Sequence, residues 1–177
     1  ALRYPKGSSL SRREVDELAT FCKEFGAQAM ASIAVNEDGA KSPISKFFEP
    51  ETMTAILKAC EAEVGDLICL VADTPKTVAN VLGRLRLEIG NRLGLRDPNK
   101  LYFNFITDFP LVQWDETEKR WDAEHHPFTM PREEHLEYFD TDPGKIRAQC
   151  YDLVCNGQES GSGSIRIHRP DIKSKVF

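Results

Sequence analysis

The sequence predicts an α+β protein built from two units, residues 1–97 and 98–177. Three observations carry that expectation. The first half alternates strand-like and helix-like segments. Asp97-Pro98-Asn99 has the composition of a linker. Beyond it, short strand-like runs separated by polar turns replace the long helical stripes.

In the first unit, Arg3-Tyr4 reads as the end of a strand. Ser11 and Glu14 have the spacing of a capping box, in which each side chain satisfies a free backbone N–H. Val15, Leu18, Cys22 and Phe25 then share one helical face, and Gly26 ends the helix. Ala29 to Val35 reads as a strand, Asp38-Gly39 as a hairpin turn, and Ser42 to Phe48 as the return strand, with Pro43 placing it at an edge. A second helix is expected from about Pro50 to Ala62, with Met53, Ile56, Leu57 and Cys60 inward. Leu67 to Val71 is the most buried-looking strand. Thr74-Pro75 opens a long helix whose stripe is Val78, Val81, Leu82, Leu85 and Ile89, and Gly94 closes it. The expected result is a two-layer module, with helices on one side of a small antiparallel sheet.

In the second unit, Leu101 to Ile106 and Leu111 to Trp114 read as strands and Asp115 to Arg120 as a hairpin tip. Pro131 to Phe139 is a short helix candidate. Gln149 to Val154 and Ser164 to His168 read as strands, and Pro170 to Phe177 as a final helix.

Composition narrows the class. The chain has 177 residues, 41% hydrophobic and 29% charged, the texture of a globular protein. Its formal charge is −5, with neither half basic, so the excess positive charge of a non-specific nucleic-acid binder is absent. The longest apolar stretch, Leu67 to Ala72, is far short of the roughly 20 residues of a membrane span. Cys22, Cys60, Cys69, Cys150 and Cys155 are odd in number and irregular in spacing, which suits a reducing cytoplasmic compartment better than a disulfide framework. Cys150 and Cys155 lack the spacing of a zinc motif.

Three clusters carry candidate chemistry. In Asp122 to Phe128, His125 and His126 are adjacent on an extended segment, so a ligand on one face meets only one of them well; a plain surface turn fits the same residues. In Tyr151 to Glu159, Asn156-Gly157 is a strong hairpin signal. A regular two-residue turn there pairs Val154 with Glu159 and Asp152 with Gly161. Asp152 and Glu159 then lie diagonally on one face, able to share a cation such as Mg2+ or simply to form a solvated acidic face. In Glu159 to His168, Ile165 and Ile167 are expected to face a core, with Ser164, Arg166 and His168 facing away. Arg166 is suited to clamping a carboxylate through two parallel hydrogen bonds. Glu159 and Arg166 are seven apart, so a regular strand would aim them to opposite faces; the Gly161-Ser162-Gly163 stretch is where a bulge would correct this, or where a flexible loop would lie.

These strings resemble one family. Thr107-Asp108-Phe109-Pro110, His125-His126-Pro127-Phe128-Thr129, Tyr151-Asp152-Leu153-Val154, Asn156-Gly157 and Gly163 to His168 are similar, in order and spacing, to bacterial-type aspartyl-tRNA synthetase. Ser42 to Phe47 and Gly65-Asp66-Leu67 are similar to the GAD domain inserted in those enzymes and shared with a subunit of tRNA-dependent amidotransferases. The resemblance implies a GAD-type insert over 1–97 and part of a class II catalytic sheet over 98–177. It implies a cytoplasmic, homodimeric ligase that activates L-aspartate with ATP and transfers it to tRNA(Asp). On that pattern Arg166 holds the aspartate side chain, His125 contacts the amino acid with His126 beside it, Glu159 binds ATP through Mg2+, and Asp152 is the second carboxylate near the metal. Ser162 stands where the family usually has a third glycine. No Phe-Arg-x-Glu string and no Gly-rich Leu-Asp-Arg string occurs in the chain. It is therefore expected to be an excised piece that does not charge tRNA alone.

Two rival readings remain. One is a non-catalytic RNA- or protein-binding module like the amidotransferase GAD domain, with Arg84, Arg86 and Arg92 as an RNA-facing helix surface and a salt-dependent affinity for tRNA as its mark. The other is a metal hydrolase using His125, His126, Asp152 and Glu159, whose spacing matches no zinc motif.

Overall fold

The computed structural model describes residues 1–176. The chain divides into two compact units, Ala1–Asp97 and Pro98–Phe177.

The first unit is organised by a four-stranded antiparallel sheet in the order β1-β4-β2-β3. Its strands are β1 (Leu2–Tyr4), β2 (Ala31–Asn36), β3 (Gly39–Lys41) and β4 (Leu67–Leu70). Central β4 is apolar at consecutive positions because both of its faces are covered. Leu67 and Cys69 share a core with Tyr4, with Leu18 and Cys22 of α1 (Arg12–Glu24), and with Val81, Leu85 and Ile89 of α3 (Pro75–Arg92). Ile68 points the other way, joining Ile33 and Val35 under Met53, Ile56 and Leu57 of α2 (Pro50–Ala59). The expected helices and antiparallel sheet are present, but α2 lies on the opposite face from α1 and α3. The unit therefore has three layers rather than two, because side chains alternate along β4 and both alternations are apolar.

Local signals explain where these elements start. The Ser11 hydroxyl accepts from the Glu14 N–H at 3.3 Å, and the Glu14 carboxylate accepts from the Ser11 N–H at 2.7 Å. The Thr74 side chain caps α3, with Pro75 in its first turn. The hairpin pairs Asn36 with Gly39, so its two turn residues are Glu37-Asp38, one earlier than expected. Ser42 to Phe48 is not a strand. After Lys41 the Ser42 hydroxyl donates to the Ser32 carbonyl, and a short 3-10 turn, Ser45–Phe47, follows. Ser42 and Pro43 favour this turn chemistry over ladder pairing.

One buried charge ties the first unit together. Asp66 is 3% exposed, accepts from the Lys6 N–H (3.0 Å) and the Glu63 N–H (2.9 Å), and pairs with Arg3 Nε at 2.7 Å. It fastens β1 to the turn preceding β4.

The second unit holds a three-stranded antiparallel sheet in the order β5-β8-β9 and a separate hairpin of β6 and β7. Their ranges are β5 (Phe103–Ile106), β6 (Val112–Asp115), β7 (Arg120–Ala123), β8 (Cys150–Cys155) and β9 (Gln158–Ser164). Leu111, Ile146 and Ala148 form its core, packed by Phe109, Tyr138, Phe139 and Cys150. Two backbone bridges, Pro110↔Arg147 and Pro131↔Ala148, hold the loops to that core. The expected helix at Pro131 to Phe139 is a 3-10 segment, Glu133–Asp140. The final helix is α4 (Pro170–Val176); Phe177 lies outside the described residues.

Candidate functional site

The site grows from the β8–β9 hairpin. Asn156 (φ 49°) and Gly157 (φ 82°) both take the left-handed conformation that a tight hairpin turn requires. The Asn156 side chain is used twice more, accepting from the Tyr102 N–H at 2.9 Å and donating to the Lys100 carbonyl at 2.8 Å. This anchors the turn against the segment leading into β5.

As the turn dictates, Val154 pairs with Glu159. The register then shifts. Leu153 pairs with Gly161 and Asp152 with Ser162, leaving Ser160 as the extra residue of a bulge. The expected Asp152–Gly161 pairing is thus displaced by one. The consequence is geometric: Glu159, Ser162 and Ser164 fall on the face that carries Asp152 and Cys150. Counted along extended backbone, the bulge turns the odd spacing from Glu159 to Arg166 into an even one. Irregularity was expected in the Gly161 to Gly163 stretch; it lies just before it.

Past Ser164 the chain changes partner. The Ile165 N–H still donates to the Gln149 carbonyl, while the Ile165 carbonyl accepts from the Met130 N–H and the Ile167 N–H donates to the Phe128 carbonyl. Ser164 to His168 is therefore not the strand the alternation suggested; β9 ends at Ser164, and one isolated bridge, Thr129↔Arg166, follows. Ile165 does not face a core either, being 53% exposed, since it lies where the chain crosses between partners.

This crossing brings His126 and Arg166 together. Arg166 Nη1 lies 2.9 Å from His126 Nδ1 and closer still to Nε2. The Thr129 hydroxyl contacts the same ring, at 3.2 Å from Nδ1 and 3.4 Å from Nε2. Burial and then the Arg166 charge push the His126 pKa down from its ordinary value, so the ring is neutral near pH 7. A neutral imidazole offers the guanidinium an acceptor rather than a second positive charge. His125 points elsewhere, with its ring 4.5 Å from that of Phe109. The two histidines diverge as adjacent residues on an extended segment must.

Asp152 is partly buried and Glu159 exposed. The negative charge of Asp152 reaches Cys150, whose thiol is pushed up by burial first and by that carboxylate second. Two oxygen-donor side chains on one face suit a Mg2+ that takes its other ligands from water and phosphate. Among the described residues no group of three or more His, Cys, Asp or Glu side chains gathers to hold a metal by itself.

Several residues around the site had no role assigned from sequence. Asp108 sits at φ 63°, a strained conformation for a non-glycine, and pairs with Arg132. Phe109, next to it, is the ring against His125. Thr129 is 2% exposed. The signal for Asp108 and Thr129 was available, since each stands in a string that carries the family resemblance.

Two of the three arginines expected to face RNA are engaged within their own unit, while Arg86 is exposed. Arg84 packs over the Phe25 ring at 5.5 Å, and Arg92 pairs with Glu88 at 2.7 Å. No helix among the described residues is long and apolar enough to cross a membrane.

Comparison with known proteins assigns the first unit to a class: residues 1–82 match the GAD domain. The match extends much further among whole proteins. The chain is 51% identical to an aspartate–tRNA(Asp/Asn) ligase of Geotalea uraniireducens over 95% of its own length and 28% of the relative's. It is 47% identical to an aspartate–tRNA ligase of Clostridium tetani, over its full length and 30% of the relative's. It is 51% identical to an aspartate–tRNA(Asp/Asn) ligase of Heliobacterium modesticaldum, over 94% and 28%. Residues 1–82 thus match the GAD domain, and nearly the whole chain is similar to part of the aspartate–tRNA ligases, spanning less than a third of the length of those it matches.

Proposed function

We propose that this chain is part of an aspartate–tRNA ligase, and that its second unit supplies the amino-acid seat and one edge of the nucleotide site of a class II catalytic domain. The observation that carries this reading is the crossing of residues 165–167 against 128–130, which sets Arg166 beside a neutral His126, next to a bulged strand whose Glu159 shares a face with Asp152. The relatives' names supply the reaction class.

In this account the Arg166 guanidinium takes the side-chain carboxylate of L-aspartate through two parallel hydrogen bonds. His126 accepts from one of the remaining guanidinium N–H groups and limits its rotation. His125 contacts the amino acid from the other side of the turn. Asparagine is rejected because its amide would leave part of a donor-only group unpaired. Asp152 and Glu159 would hold Mg2+ together with ATP, and a metal there would supply positive charge against that developing on the phosphates. None of these residues forms a covalent bond to substrate. Their work is alignment, so that the aspartate α-carboxylate meets the α-phosphate, and aspartyl then passes to the 3′ end of tRNA(Asp). The reading includes a homodimeric, cytoplasmic enzyme, a setting that five unpaired cysteines suit. It also holds the isolated chain to be inactive, because the family's second- and third-motif strings, which grip ATP through arginines, are not in it.

The division of roles is testable in the full-length ligase of which this chain forms part. Glu159→Gln is expected to raise KM for ATP and the Mg2+ requirement about tenfold or more, the scale of one charge-assisted contact, with KM for aspartate little changed. An aspartate KM that rises while that for ATP stays put would reassign Glu159. The alternative of a stand-alone GAD module, as in the amidotransferase, is disfavoured because similarity to the ligases runs through residues 98–177 as well.

A further inference from the structure

We propose that Phe109 is a positioning residue: its ring, carried on the core of the second unit, holds the His125 imidazole in one orientation. The placement of the ring stands on the geometry alone; its consequence for aspartate rests on the reading of His125 as a contact of the amino acid.

His125 is exposed, and among the described residues no hydrogen bond reaches its ring. What touches the ring is Phe109, with 4.5 Å between the centroids and the planes tilted by 59°. That separation is at the close end of the range for aromatic pairs, where the two rings are in van der Waals contact. An exposed side chain without such a contact exchanges among its staggered rotamers within picoseconds to nanoseconds. A ring lying against one side of the imidazole removes that freedom. Phe109 therefore decides where the two nitrogens of His125 point.

Phe109 is itself fixed. It packs against the core of Leu111, Ile146 and Ala148, and its carbonyl accepts from the Ala148 N–H at 2.8 Å. Pro110 is bridged to Arg147, and the Leu111 N–H donates to the Ile146 carbonyl at 2.9 Å. On the histidine side, the β6–β7 ladder pairs Val112 with Ala123, and the Glu124 N–H continues it by donating to the Leu111 carbonyl at 3.1 Å. His125 thus follows directly on a backbone clamped to the segment that carries Phe109. Before Phe109, Asp108 takes the left-handed conformation at φ 63° and pairs with Arg132, whose own N–H donates to the Arg147 carbonyl at 2.8 Å. That conformation is unfavourable for a residue with a Cβ, and the ion pair holds the turn from which the Phe109 side chain leaves the backbone.

The orientation of the imidazole can be read directly by NMR. In the 177-residue chain, scalar couplings across the Cα–Cβ bond of His125 are expected to report a single χ1 rotamer, with cross-relaxation between the His125 and Phe109 ring protons. The His125 signals are identified by their loss in His125→Gln. Phe109→Leu, which keeps an apolar group on the core, is expected to give rotamer-averaged couplings at His125, and Phe109→Tyr to keep the single rotamer. In the full-length ligase, Phe109→Leu is expected to raise KM for aspartate about three- to tenfold, the scale of one aromatic pair, with KM for ATP unchanged, and Phe109→Tyr to restore it. Averaged couplings at His125 in the unaltered chain overturn the proposal without any variant. A folded Phe109→Leu protein that keeps the single His125 rotamer overturns it as well. His125→Gln in the same kinetic assay separates the two ideas. If it leaves the aspartate KM untouched while the unaltered ring holds one rotamer that Phe109→Leu releases, His125 is misassigned as a contact of the amino acid and the aromatic positioning stands.

Discussion

Arg166→Gln in the full-length ligase is expected to lower kcat/KM for L-aspartate by roughly thirty-fold to several thousand-fold, with KM for ATP changed little. The range corresponds to the ~2–5 kcal/mol lost when one partner of a desolvated charge pair is truncated. Arg166 itself is exposed, so where in that range the effect falls depends on how far the bound substrate desolvates the pair. The guanidinium has neighbours that do not compete for it, since His126 is a neutral acceptor and the Thr129↔Arg166 bridge fixes the backbone. Discrimination against L-asparagine should fall along with the rate, because glutamine offers an amide in place of a donor-only fork. Arg166→Lys is expected to recover only part of the loss, as an ammonium cannot make the two parallel bonds. Steady-state exchange kinetics with aspartate and asparagine side by side measure all three effects.

The second large effect concerns stability of the first unit. Asp66→Ala is expected to lower its unfolding free energy by about 2–4 kcal/mol, the cost of leaving buried donors without their acceptor. Thermal unfolding should move down on the order of 10–20 °C for a unit of this size. The Asp66 carboxylate satisfies the Lys6 and Glu63 N–H groups and pairs with Arg3, whose guanidinium also reaches the Glu61 carbonyl. Removing it orphans two backbone donors and half of an ion pair in a place that is 3% exposed. Arg3 is partly solvated, which keeps the expectation below that for a fully buried pair. Asp66→Asn, which keeps one acceptor, should fall between the two proteins. A melting temperature within a degree or two of the original in the alanine variant would remove the central fastening assigned to this residue.

How much of this was legible in the sequence depends on whether the controlling interaction is local. The capping box at Ser11 and Glu14 and the turn at Asn156-Gly157 are decided within four residues, and both form as their spacing dictates. The bulge was legible as a need, from the parity of Glu159 and Arg166, but its place was not. Glycines mark where a bulge is tolerated, while the pairing of Val154 with Glu159 on one side and Gly161 with Leu153 on the other decides that Ser160 is the extra residue. The position of α2 was missed because an amphipathic stripe says that a helix buries one face, not which face of a sheet it buries against. The run Leu67-Ile68-Cys69, buried at every position, held the clue that both faces of β4 are covered. The partner switch after Ser164 was beyond local reading altogether, since it depends on residues 128–130, more than thirty positions earlier.

The account's central claim is that this chain holds the aspartate side and one edge of the nucleotide side of an adenylate-forming site without the arginine-bearing motifs that grip ATP. Aspartate-dependent ATP–pyrophosphate exchange by the purified 177-residue chain, with Mg2+ and without tRNA, tests it most directly. The prediction is no exchange above a blank lacking aspartate. Exchange that requires aspartate and is lost on Arg166→Gln would contradict it, because the residues present would then suffice to activate the amino acid.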